Sequence, residues 1–286
     1  MKFLKWFVIL NIQLTTPFST NNLVRSVFKT ISSAQGVKWP KDSHPLSYLD
    51  ECRHYDKTVE FPEYYLKDFH AYDGGNMNPV AAKELQAANE AIYMHHYKNK
   101  SGKEAGEYIR REFNKKTIEY SDNDITFVLD FGCGSGISTS FLKQILPNSF
   151  ILGLDLSPYF LQEAEEPDKI YFMHRDIGNT RIMSDSVDLV SISYVLHELP
   201  LRETLKVLKE SFRILKPGGV LAVLDMKPDV RSSSRLLKII FDITEPYLED
   251  YKGFCMYKNY YLKNSGFRDI YRNDNIRKTS MFFCRK

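Results

Sequence analysis

The stretch Val128-Leu129-Asp130-Phe131-Gly132-Cys133-Gly134-Ser135-Gly136 decides how the rest of the chain reads. Its first half is a continuous apolar strand ending in an acid. Its second half is a glycine loop that opens the helix beginning at Ile137. A sharp strand-to-helix turn needs residues that tolerate positive φ, and it brings backbone N–H groups to a ligand at the positive end of a helix. The spacing is G-x-G-x-G. The nicotinamide-binding fingerprint G-x-G-x-x-G would need a small residue where this chain has Ile137, and no Gly-Lys-Ser/Thr follows to make a P-loop. The loop therefore favours a nucleoside without a pyrophosphate.

Outward from this loop, strands and helices alternate. Phe150 to Leu156, Ile170 to His174, Val187 to Val195 and Val220 to Met226 read as strands; Ile137 to Ile145, the region from Ser157 and Leu201 to Leu215 read as helices. Buried apolar strands separated by helices imply a parallel sheet covered on both faces. A helix near Tyr257 to Asn264 and two closing strands, Phe267 to Asn273 and Lys278 to Cys284, follow; their short connection makes them antiparallel. The expected fold is α/β: a Rossmann-like, doubly wound, seven-stranded sheet with its last strand antiparallel, plus a mostly helical N-terminal extension.

Acids stand at successive strand ends. A carboxylate at Asp155, closing the second strand, can accept hydrogen bonds from both hydroxyls of a ribose, and Asp176 follows the third strand. Taken with Ser193 to Leu199 and Leu215-Lys216-Pro217-Gly218-Gly219, the ordered set resembles the motifs of class I S-adenosylmethionine-dependent methyltransferases. It is most similar to the branch that includes the ubiquinone and menaquinone biosynthesis methyltransferases. The resemblance spans Ser121 to Lys286 and implies methyl transfer to a small-molecule acceptor. It sets Gly132, Gly134 and Gly136 against the methionine moiety of S-adenosyl-L-methionine, with Asp130 near its amino group. It also sets Asp155 with Leu156 at the ribose, Asp176 and Ile177 at the adenine, and Ser193 or Tyr194 beside the methionine.

Two alternatives stay open: a domain that binds S-adenosylmethionine without turnover and serves as a scaffold, and a nicotinamide oxidoreductase. An activated sulfonium methyl mainly needs an aligned nucleophile and a dry site. Should a base be required, His197 is the candidate, since it follows the fourth strand and titrates near neutrality. Glu198 reads as a helix-start acid.

Residues 1–41 contain no acid, many hydroxyls and six Lys or Arg, with an amphipathic run around Leu23 to Ile31. That is the pattern of a mitochondrial or plastid transit peptide; the alternative is a disordered basic tail on a cytoplasmic protein. No apolar run is long enough to span a bilayer. Residues 42–120 read as an accessory cap and 121–286 as the methyltransferase domain. Within the cap, His70, Tyr72 and Asn76 are expected in the acceptor pocket, with Tyr72 facing the transferred methyl. Thirty-nine Lys and Arg against 36 acids give a charge of +3, too small an excess to argue for nucleic acid. Cys52, Cys133, Cys255 and Cys284 have neither zinc nor disulfide-framework spacing, and His95-His96 has no companion ligands, so no metal is expected.

Overall fold

The computed structural model describes residues 20–40, 48–97, 99–121, 124–228, 244–273, 276 and 278–286, apart from the side chains of Thr20, His95 and His96. Seven strands form one sheet: β1 (Phe127–Phe131), β2 (Phe150–Asp155), β3 (Ile170–His174), β4 (Val187–Ser193), β5 (Leu215–Met226), β6 (Arg268–Asn273) and β7 (Thr279–Arg285), in the order β3-β2-β1-β4-β5-β7-β6. Strands β1 to β5 pair in parallel, and β7 runs antiparallel to both β5 and β6. The expected doubly wound sheet with an antiparallel last strand is present. Strand β5 starts earlier than the sequence implied, because Lys216 to Gly219 stay within the strand instead of preceding it.

The helices are α1 (Thr20–Ala34), α2 (Pro79–His96), α3 (Gly102–Tyr120), α4 (Ile137–Ile145), α5 (Pro158–Gln162), α6 (Leu201–Ile214), α7 (Leu248–Met256) and α8 (Lys258–Asn264). Their starts follow from local chemistry. Asn78 caps α2 by accepting the Val80 N–H, with Pro79 at the first helical position, and Ser101 and Glu104 form a capping box on α3. Alternation along the strands divides the core. Val128, Ile151, Leu189, Ala222 and Phe283 pack with Ile109, Phe113 and Leu142 of α3 and α4. Leu129, Leu152, Val190, Val223 and Phe282 pack with Val207, Leu208, Tyr251 and Phe254 of α6 and α7. Period-two side-chain direction thus buries both faces of the sheet.

The chain order runs outward from β1 to β3 and then returns to β4 on the other side of β1. That reversal opens a crevice at the carboxyl ends of β1 and β4, where open α/β sheets take their ligands.

Part of the basic N-terminal stretch, read from the sequence as a targeting segment or a tail, is built into the structure. Residues 1–19 and 41 lie outside the described residues, but Thr20 to Pro40 form a helix and a return segment packed on the cap. Arg25 and Lys29 of α1 both pair with Glu84 of α2, at 2.7 and 2.5 Å. Phe28 and Trp39 meet edge to face, and the Trp39 indole donates to Ser32. Among the described residues, no helix is long and apolar enough to cross a membrane.

Candidate functional site

A cavity of about 280 Å³ occupies the crevice. Its floor is the carboxyl edge of β1 to β4, and its roof comes from α1, α2 and the segment Tyr64 to Asn76. Gly132, Gly134, Asp155, Leu156, Asp176, Ile177, Ser193 and Tyr194, all named from the sequence, line it.

The glycine loop is held by its neighbours. The Gly132 and Cys133 N–H groups both donate to Leu154 O, which ties the end of β1 to β2. Gly132 has φ +65°, and a Cβ there would lie 2.4 Å from Val195 Cγ2, so only glycine fits. The Gly134 N–H donates to Asp155 Oδ2 at 2.8 Å, while Asp155 Oδ1 accepts the Ser157 N–H at 2.8 Å. Burial pushes the Asp155 carboxyl up to about 6, against the pull of these N–H donors.

Two expected cofactor contacts fall elsewhere. Gly136 does not reach the cavity: at φ +78° it caps α4, and a Cβ would strike the Phe172 ring at 2.6 Å, so its lack of a side chain serves packing. Asp130 is fully buried beneath the loop, where its Oδ2 accepts from Ser138 and Thr139 hydroxyls at 2.6 and 2.7 Å. Burial raises it to about 6, with the hydroxyl donors opposing. It braces the start of α4 from below and does not line the cavity.

The opposite end of the cavity is polar. Phe69 and Tyr72 exchange backbone hydrogen bonds around His70 and Ala71, which have φ of 53° and 64°. Positive φ at both central residues is the pattern of a type I′ turn, normally made with Asn and Gly; using His and Ala costs on the order of 1 kcal/mol or more each. The turn presents His70 beside His197, with rings 6.2 Å apart and nearly parallel. His197 sits in the short turn Leu196–Glu198 after β4, its Nδ1 2.8 Å from Asp225 Oδ1 at the end of β5. Burial works against a charge on His197, yet Asp225, Glu198 and Glu245 raise it to about 9. These carboxylates favour the protonated imidazole of His197, the base candidate named from the sequence. His70 is likewise raised: burial opposes it, and Glu245 and Glu198 prevail.

Glu198 is not a helix-start acid, since α6 begins at Leu201. It lines the cavity, accepts from Asn76 Nδ2 at 2.9 Å and lies 3.5 Å from His70 Nε2. Asn76 also receives the Ser157 hydroxyl on its carbonyl. Tyr72 departs from its expected role. It lines the cavity, but its hydroxyl donates to Glu84 at 2.7 Å and Arg25 lies over its ring, so its polar end belongs to the α1–α2 junction.

Sequence reasoning missed Glu84, Asp225 and Glu245. Asp225 carried a usable signal, a single acid in the apolar run Val220 to Met226 at the carboxyl end of a strand. Glu245 had none. His70, His197 and Glu198 come together with one ligand atom each within 4.8 Å of the others, a group that the sequence reading did not connect.

Residues 128–219 match the family described as "Methyltransferase domain". The chain is 33% identical over 117 residues to the trans-aconitate 2-methyltransferase of Azoarcus sp. (strain BH72), covering 41% of this chain and 45% of that protein. It is 30% identical over 129 residues to the demethylmenaquinone methyltransferase of Listeria welshimeri, covering 42% and 54%. The chain thus spans about half the length of these relatives or less. Among solved structures, a SAM-dependent methyltransferase from Aquifex aeolicus superposes with a TM-score of 0.51 at 18% identity, covering 72% of this chain and 97% of the other. Human N-acetylserotonin methyltransferase in complex with SAM does so with 0.50 at 16% identity, covering 73% and 59%. These two likenesses speak for the fold alone, the seven-stranded α/β sheet described above.

Proposed function

We propose that this chain is an S-adenosylmethionine-dependent methyltransferase acting on a small-molecule acceptor. One observation carries the reading: Asp155, at the tip of β2, faces the same cavity as the glycine loop and is held there by the Gly134 and Ser157 N–H groups. Each of its oxygens retains acceptor capacity for a ribose hydroxyl. Gly132 and Gly134 let backbone approach the ligand, Ile177 and Leu156 offer apolar faces to a flat base, and Asp176 stands at the rim of β3. When bound, S-adenosylmethionine supplies an electrophilic methyl on a sulfonium. The chain then has to orient the acceptor and exclude water. Residues from α1, α2 and the Tyr64 to Asn76 segment roof the cavity for that purpose, and His70, His197, Glu198 and Asn76 form its polar acceptor end.

Calorimetric titration with S-adenosylhomocysteine tests the reading. Two charge-assisted hydrogen bonds to a carboxylate contribute on the order of 3 kcal/mol, so Asp155→Ala should weaken binding roughly a hundredfold. Unchanged affinity would remove Asp155 from the site, and tight NADH binding in place of S-adenosylhomocysteine would overturn the assignment.

A further inference from the structure

We propose that the acceptor end of the cavity is a divalent-cation site, with His70 Nε2, His197 Nε2 and Glu198 Oε1 as ligands and Glu245 Oε2 as a fourth. The cation chemistry expected of imidazole and carboxylate donors in this number is that of Zn²⁺ or a similar first-row ion. The inference deepens the methyltransferase reading, because the site adjoins the pocket assigned to the acceptor.

Spacing is the first support. Ligand atoms 2.0–2.2 Å from a tetrahedral ion lie about 3.3–3.6 Å from one another. His70 Nε2 is 3.5 Å from Glu198 Oε1 and 3.2 Å from Glu245 Oε2, and His197 Nε2 is 3.9 Å from Glu198 Oε1. His70, His197 and Glu198 offer one ligand atom each within 4.8 Å of the others, and Glu245 stands beside His70, so the ligands have to draw in by about an ångström around an ion.

Orientation is the second. Histidines that bind metals through one nitrogen commonly have the other held by a carboxylate, and ligating carboxylates are themselves hydrogen-bonded. Asp225 holds His197 Nδ1, leaving Nε2 for the site. Asn76 Nδ2 holds Glu198 Oε2, leaving Oε1. The His70 backbone N–H donates to Thr244 O, which ties the strained turn to the residue preceding Glu245. The ligands thus come from three parts of the fold, with His197 and Glu198 sharing the turn after β4 and each held by its own partner.

Glu245 supplies a third, independent observation. Its side chain is 6% exposed, and its Oε2 accepts no well-formed hydrogen bond although it lies near His70. A buried carboxylate oxygen without such a bond is costly, and a cation among these four atoms would satisfy it.

Titration of the full-length, metal-stripped protein with Co²⁺ tests the site, read by the visible d–d absorption of tetrahedral cobalt. One equivalent should bind with an intense band. His70→Ala and Glu198→Gln should each weaken Co²⁺ binding at least tenfold. Absence of the band, or wild-type Co²⁺ affinity in both variants, would overturn the proposal. S-adenosylhomocysteine titrations on the same samples report folding and keep the two readings apart. Intact S-adenosylhomocysteine binding without a cobalt band rejects the cation site alone. A cobalt band without S-adenosylhomocysteine binding rejects the methyltransferase reading and leaves the cation site standing.

Discussion

Asp225 Oδ1 lies 2.8 Å from His197 Nδ1, and the same carboxylate oxygen accepts the N–H of its own neighbour Met226 at 2.7 Å. Asp225 is therefore fixed by the backbone of β5 and in turn fixes the imidazole ring. Its other oxygen accepts the His197 N–H at 3.3 Å. Replacing it with Asn keeps the shape but alters which imidazole nitrogen carries the proton. Asp225→Asn should lower kcat on the order of tenfold to a hundredfold, the range typical of losing such an orienting carboxylate. S-adenosylhomocysteine affinity should stay within a factor of about three, because Asp225 does not line the cavity and acts through His197. Loss of cofactor affinity equal to the loss of kcat would show a general collapse of the site.

The Asp155 carboxyl, raised by burial to about 6, makes cofactor affinity depend on pH. Ribose hydroxyls donate best to the ionised form, so S-adenosylhomocysteine affinity should rise as pH increases through about 6. Asp155→Asn should bind more weakly and lose that dependence. A wild-type affinity that is flat from pH 5 to 7.5 would show that the carboxylate is not the group read by the ligand.

Asp130 gives a stability test with the opposite sense. Its carboxyl is raised from 3.8 to about 6 in the fold, so the folded chain holds this proton more tightly than the unfolded one. The resulting stabilisation is complete below the unfolded value and is lost as pH rises through about 6. Asp130→Asn should flatten part of the decline in unfolding free energy between pH 4.5 and 7, measured by urea denaturation. Asp155 shares the direction, so only part of the slope should vanish. An unchanged slope would mean that Asp130 does not titrate there.

Glu84 joins α1 to the rest of the protein, accepting from Arg25, Lys29 and the Tyr72 hydroxyl. Burial pushes its carboxyl up, but those donors prevail and lower it. Its contribution is thus present above the unfolded value of 4.5 and lost as pH falls through the lower folded value. Because Arg25 and Lys29 remain partly exposed, Glu84→Gln should cost about 2 kcal/mol at pH 7, less than a fully buried pair, and progressively less as pH falls below 4.5. Protease cleavage within α1 should accelerate in the variant. Equal cleavage of wild type and variant would show that α1 is anchored by other contacts.

The sheet and the cofactor half of the cavity were legible because their signals are local. A strand is a short apolar run, and a glycine loop followed by acids at successive strand ends leaves few alternatives. Asp130 and Gly136 were placed one layer too high for a reason that sequence does not carry: both lie in the loop motif, but one turns under it and the other packs on Phe172. The acceptor end was legible only in fragments. His70 and His197 lie in different segments, the cap and the sheet domain, and their approach depends on a turn with two positive φ values formed by His and Ala, which no turn rule anticipates. Aromatic crowding marked Tyr72 as a pocket residue, and it does line the cavity, but nothing local announced the partner of its hydroxyl, Glu84, on the buried side of an apparently ordinary helix.

The backbone hydrogen bond from His70 to Thr244 ties the strained turn to the segment that carries Glu245. Two chain segments far apart in sequence therefore share one amide contact beside the cavity. The His70 amide proton should exchange with solvent only when that contact opens, so its exchange rate reads how often the two segments part.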